Sequence, residues 1–251
     1  MNEPERGSLV DYRGSHAEPG YGLRYSRTYE VGYYAQLWRQ IERPLLERRL
    51  DEIVGTGMES ALDFACGTGR ITSVLCARFK RVLGADVSEA MLEVAREQCP
   101  AAEFRQLDLT INPLPETFGL VTAFRFFLNA EPALRSAAME ALCRVLEPRG
   151  FLIANVHVTR SSPLGMAYRI RNRLRQRIVA NTLATEELVQ LGKQHGLEVL
   201  HVDQYGYLPR IGRLTDGALL RAMMPVERLF QAVPALPRSL AQAALVTFQR
   251  R

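Results

Sequence analysis

Apolar residues recur at intervals of three and four over 24–50, where Tyr34, Leu37, Trp38, Ile41, Leu45 and Leu46 alternate with Arg39, Glu42, Arg43 and Glu47. That spacing predicts an amphipathic helix with one buried face, and Pro44 predicts a kink or the first turn of a second helix. From Met58 onward, short apolar runs alternate with helical patterns, as in parallel strands joined by crossover helices. The predicted strands are 60–64, 81–86, 102–106, 120–125, 150–157, 197–204 and 244–249, with helices at 69–79, 89–98, 132–146 and 186–195. The fold class is therefore α/β. Gly196 is placed to end the last of those helices in a left-handed conformation. Residues 1–22 mix Gly, Pro and charge without periodicity, which predicts a loosely draped arm.

The chain has 251 residues, 47% hydrophobic and 24% charged, which suits one embellished globular domain or two small ones. Its apolar stretches fall short of the roughly eighteen residues of a membrane span. The beginning of the chain lacks the basic start and apolar centre of a secretory signal, so a soluble cytoplasmic protein is expected. Cys66, Cys76, Cys99 and Cys143 are too widely spaced in sequence for a metal-ligand set or an iron–sulfur cluster, and are read as reduced thiols. No metal site is expected. The net charge of +5 favours anionic partners but decides little alone.

The most informative stretch is ALDFACGTGR at 61–70, an apolar strand followed by Gly67 and Gly69 at a turn that opens a helix. Glycine lets backbone approach a ligand closely, and the helix start offers amide hydrogens to a carboxylate or phosphate. Asp86 follows Gly69 by seventeen residues at the end of the second strand, where a carboxylate can accept both hydroxyls of a ribose. Asp108 ends the third strand region, so three strand ends converge on one sheet edge. A nicotinamide-dependent dehydrogenase would use a similar turn and acid. Here Thr72 stands at the third glycine of that pattern, and Asp108 would have no task.

Together, Asp63, CGTG at 66–69, Asp86, Asp108 and the aromatic-rich FGLVTAFRFFLN at 118–129 resemble the class I S-adenosylmethionine-dependent methyltransferase family. The resemblance covers about 62–157 and implies a Rossmann-like, mostly parallel seven-stranded sheet with helices on both faces and an antiparallel last strand. It also implies an N-terminal helical lid and a C-terminal helical insertion. On this reading 1–50 is an arm and helical cap and 51–251 the methyltransferase domain, with acceptor-side insertions at 158–185 and 209–240. The resemblance implies S-adenosylmethionine as cofactor and S-adenosylhomocysteine as product. Gly67 and Gly69 would pass its methionine portion, Asp86 would hold the ribose, Asp108 would bond the adenine amino group, and Met91 would pack on the adenine face. Asp63, Ala65, Val87, Leu109 and Phe124 complete the expected surroundings, and Arg24 with Tyr25 would reach the cofactor's carboxylate from the arm. Ala65 stands where many members have Gly, and Gly119 where many have an acid.

Methyl transfer to a hydroxyl needs a base, and His157 is the candidate because it ends the fifth predicted strand at the same sheet edge. Arg125 and Asn129, after the fourth strand, are candidates for orienting an acceptor's oxygen or carboxylate. Arg169, Arg171, Arg173, Arg175 and Arg177 occupy alternate positions, and Ile170, Leu174 and Ile178 at four-residue spacing favour a helix there over a strand. The expected reaction is methylation of a small-molecule acceptor, with an anionic acceptor left open, oxygen-directed rather than nitrogen-directed. No membrane partner is expected, and a homodimer is left open. Nucleic acid is the less favoured acceptor, since AFRFFLNA lacks both a Pro-Pro-aromatic tetrapeptide and a Pro-Cys nucleophile. A non-catalytic nucleoside-binding protein is the third reading.

Overall fold

The computed structural model describes residues 30–174, 183–210, 218–233 and 235–251. Its centre is a seven-stranded sheet in the order β3-β2-β1-β4-β5-β7-β6. The strands are β1 (Ser60–Phe64), β2 (Arg81–Asp86), β3 (Glu103–Gln106), β4 (Phe118–Ala123), β5 (Leu146–Val156), β6 (Leu197–Tyr205) and β7 (Ala243–Arg250). Pairing is parallel from β3 through β5, and β7 runs antiparallel between β5 and β6. The Rossmann-like sheet with its antiparallel last strand is as expected.

Both faces are covered, which is why the central strands read as unbroken apolar runs rather than alternating ones. Leu62, Val121, Leu152, Ala154 and Phe248 face one core with α5 (Pro132–Val145) and α7 (Thr185–Gln194). Their neighbours Ala61, Leu120, Phe151 and Ile153 face a second core, with the N-terminal helix and α3 (Arg70–Cys76). The chain enters at β1, winds outward through α3, β2, α4 (Glu89–Gln98) and β3, then returns to β4 on the other side of β1. Strand order thus reverses between β1 and β4, and the crevice at such a point is where α/β sheets bind ligands.

The N-terminal helix runs as α1 (Gly32–Leu37), a π turn (Trp38–Glu42) and α2 (Arg43–Val54), with right-handed backbone at both junctions. Pro44 lies in the first turn of α2, and the wider π turn ahead of it absorbs its missing N–H. The helix passes residue 50 without a break.

Several boundaries differ from the expected ones, those of β4 and β5 for tertiary reasons. β4 begins at Phe118 rather than 120, because Gly119 crosses Met58 so closely that a Cβ would lie 2.6 Å from its sulfur. It ends at Ala123, which leaves Arg125 outside the strand. β5 begins at Leu146 rather than 150: between Phe118 and Leu120 of β4 the partner on β5 jumps from Leu146 to Phe151. Arg149 takes a left-handed φ of 63° in that irregularity. His157 lies just past the strand rather than in it.

Helix α6 (Pro163–Leu174) carries the first part of the arginine-rich segment, as the helical reading requires, with Met166 and Ile170 exposed. Ile178, Arg175 and Arg177 lie outside the described residues. The C-terminal insertion contains a 3-10 turn (Ala218–Ala222) and α8 (Met223–Ala232). Buried Glu227 of α8 accepts the backbone N–H groups of Gly206 and Tyr207 at 3.0 and 3.3 Å, tying the insertion to the exit of β6. Among the described residues, no helix is long and apolar enough to cross a membrane and no cluster of His, Cys, Asp or Glu is arranged to hold a metal.

Candidate active site

β1 delivers the chain into a loop whose residues Ala65, Gly67 and Gly69 all take left-handed backbone, with φ of 53°, 55° and 81°. Gly69 must be glycine for a second reason: a Cβ there would sit 3.1 Å from that of Ala95 in α4. A Cβ on Gly67 would meet nothing within 4 Å, so the loop's outer side is open to a ligand. Ala65 carries the strain that glycine would avoid, about 1–2 kcal/mol. Glycine would also enlarge the unfolded ensemble, by about 0.5–1 kcal/mol. Ala65→Gly should therefore raise stability by about 1 kcal/mol or less, read as a higher urea midpoint. A lowered midpoint would mean that the Ala65 methyl matters more for packing than its backbone costs.

The three acids play different parts. Asp86, at the end of β2, accepts the N–H of Gly67 on Oδ2 at 2.8 Å and that of Ser88 on Oδ1 at 2.9 Å, so the carboxylate closes the glycine loop onto the second strand. Asp108 lies two residues beyond β3, and its Oδ1 accepts both the N–H and the hydroxyl of Thr110 at 2.9 and 2.5 Å. Asp63 is 1% exposed, and its oxygens accept the hydroxyls of Thr72 at 2.6 Å and Thr122 at 2.8 Å. Burial pushes its carboxyl up to about 6 against those hydrogen bonds. Thr72 is thus the tie between α3 and β1, a task the third glycine of a dinucleotide turn could not perform. Met91 and Leu109 are buried, as is Phe124, which packs with the core containing α3; Val87 is half-buried.

On the other side of the crevice, Arg125 follows β4 with a left-handed φ of 58°. Its N–H donates to Asn155 Oδ1 at 2.6 Å and its carbonyl accepts the Asn129 amide at 2.6 Å. Asn129 therefore shapes the loop that presents Arg125. His157 Nδ1 is shielded from solvent and has no hydrogen-bond partner among the described residues. Burial, with the nearby charges of Arg125 and Arg70, pushes this imidazole well below its ordinary 6.5, so it is neutral at physiological pH.

The pattern reading missed Glu42, whose carboxylate is 1% exposed and meets Arg70, Arg125, Asn155 and Tyr205 at this edge. Its sequence signal was only that of a polar position between apolar ones. The reading also left Cys76 and Cys99 unrelated, whereas their sulfurs are 3.3 Å apart. Burial and the neighbouring thiol push Cys76 up to about 12, keeping it protonated. Arg24 and Tyr25 lie outside the described residues.

Residues 61–150 match a family model described as a methyltransferase domain. Trans-aconitate 2-methyltransferase of Paracidovorax citrulli (strain AAC00-1) is 52% identical over 50 residues, 19% of either chain. Ubiquinone biosynthesis O-methyltransferase of Pseudomonas fluorescens (strain SBW25) is 29% identical over 113 residues, covering 43% of this chain and 48% of that one. The chain spans about half the length, or less, of the curated relatives it matches. Among solved structures, magnesium protoporphyrin IX methyltransferase from Synechocystis PCC 6803 with bound SAH superposes with a TM-score of 0.66 at 15% identity. That match covers 95% of this chain and 98% of the other, a likeness of fold.

Proposed function

We propose that this chain, whose residues 61–150 form a class I methyltransferase domain, transfers the methyl group of S-adenosylmethionine to a small-molecule acceptor. The observation that carries the reading is the meeting of the open Gly67 loop with Asp86 beside the β1–β4 crossover point. The residues fit the cofactor. Gly67 leaves room for the methionine portion and Gly69 sets the turn with its left-handed backbone, while Asp86, already fixed by two backbone bonds, is poised for the ribose hydroxyls. Asp108 takes the adenine amino group, and Met91, Val87, Leu109 and Phe124 supply the apolar surroundings. Asp63 and Ala65 serve by shaping the loop.

The bound cofactor supplies an electrophilic methyl carbon attached to a sulfonium leaving group. The chain's residues therefore align the acceptor and remove its proton. Arg125, with Arg70 beside it, gives the acceptor side a cationic character suited to a carboxylate-bearing molecule, and Asn129 holds Arg125 in place. His157, neutral at working pH, takes the hydroxyl proton at an imidazole nitrogen, which favours oxygen methylation.

Calorimetric titration with S-adenosylmethionine should give saturable binding. With a panel of hydroxylated carboxylic acids and cofactor labelled in its methyl group, label should pass to at least one acid. No cofactor binding would end the proposal, and binding without transfer to any acceptor would favour the non-catalytic reading.

A further inference from the structure

The π turn delivers Glu42 to a place where five segments of the chain meet. Oε1 accepts the Asn155 amide at 2.9 Å and the Tyr205 hydroxyl at 2.7 Å, from the ends of β5 and β6. Oε2 lies 3.7 Å from a guanidinium nitrogen of Arg70, the first residue of α3 after the glycine loop, and 3.7 Å from one of Arg125. Asn155 has two tasks, since the side chain that donates to Glu42 also accepts the strained N–H of Arg125. Arg125 is consequently held at both ends, its backbone through Asn155 and its guanidinium by charge. Arg70 is held between Glu42 and the ring of Trp38, 4.2 Å from the ring centre.

Burying a carboxylate costs several kcal/mol before its partners are counted, and apolar residues usually tie elements together at least as well. What a buried charge with fixed partners adds is orientation. Burial works to raise the Glu42 pKa, but the charges of Arg125 and Arg70 and the two hydrogen bonds outweigh it, so the group stays ionised.

We propose that Glu42 is a positioning residue for methyl transfer: it fixes the guanidiniums of Arg125 and Arg70 and thereby locks the acceptor side to the cofactor loop. This rests on the methyltransferase reading above. Glu42, at 1% exposure, acts through the two arginines rather than at the reacting atoms.

The test uses Glu42→Gln, which keeps the shape and an oxygen for Asn155 and Tyr205 but removes the charge. Trp38 is the only tryptophan in the chain, so fluorescence reports directly on the Arg70 stack. Expected results are S-adenosylhomocysteine affinity within about threefold of wild type, an acrylamide quenching constant roughly doubled as the stack loosens, and a kcat at least about tenfold lower on the best acceptor of the panel. Tyr205→Phe removes one neutral hydrogen bond and keeps the charge, so it should change both quenching and kcat by less than about threefold. Wild-type transfer and quenching in Glu42→Gln, or equal losses in both variants, would overturn the proposal.

If Glu42→Gln does not fold, the charge-balanced pair Glu42→Gln with Arg70→Gln should fold and bind S-adenosylhomocysteine yet remain at least about tenfold slow. Wild-type turnover by that pair would also overturn it. The quenching comparison needs no ligand. If the wild type binds no S-adenosylhomocysteine, the methyltransferase reading fails, while quenching still decides whether Glu42 holds Arg70.

Discussion

His157→Ala is expected to lower kcat for a hydroxyl acceptor by on the order of a hundred- to ten-thousandfold, the usual contribution of a positioned general base. Cofactor affinity should be nearly unchanged, since the imidazole lies with Arg125 and Arg70 rather than at Asp86. The electrostatics add a pH signature. Burial first, and then the charges of Arg125 and Arg70, depress the folded-state pKa below 6.5. The active neutral form should therefore persist as pH falls, with the acid limb of kcat lying below 6.5. The same depression affects folding: the stability of holding a neutral His157 is complete above the unfolded-state pKa and is lost as pH falls towards the folded-state value. A variant lacking His157 should lose less stability between pH 7 and 5. Turnover that survives the substitution, or an acid limb at or above 6.5, would assign the proton to another group.

Asp86→Ala should weaken S-adenosylmethionine binding by about ten- to hundredfold, as expected for the loss of a carboxylate making charge-assisted hydrogen bonds of about 1.5–3 kcal/mol each. The effect has two sources, because this carboxylate also holds the Gly67 N–H. The variant loses both the ribose partner and the clasp that keeps the loop closed onto β2. Calorimetry with S-adenosylhomocysteine gives the affinity directly, and a value unchanged within about twofold would contradict the ribose placement.

The central fold was legible because its forces are local or periodic. β1 and β2 have the expected bounds, since each is an apolar run closed by a glycine turn or an acid. Boundaries set by distant contacts were not legible. Gly119 read as a missing acid before β4, yet it lies inside the strand because Met58, far away in sequence, packs against it. Similarly, Glu147, Pro148 and Arg149 do not look like strand, and only the irregular pairing with β4 draws them into β5.

The site divides along the same line. The glycine loop and Asp86 follow from spacing alone, whereas the partners of Asp63 do not: Thr122 lies 59 positions away and meets it only when β4 docks beside β1. Glu42 was hardest to see. Helical periodicity puts it among Arg39, Arg43 and Glu47 on the polar face, but it belongs to the π turn and is buried. A register taken from a regular helix does not describe that turn.

The position of β7 governs the order in which the molecule can be assembled. Strands β1 to β5, with the glycine loop and its acids, can pair as soon as residue 156 has emerged. Among the described residues, β6 pairs in the sheet with β7 alone, the seventh strand in chain order. β6 therefore cannot join the sheet until β7 has inserted beside β5. A nascent chain can thus pair the half of the sheet that carries the glycine loop before the half that carries β6.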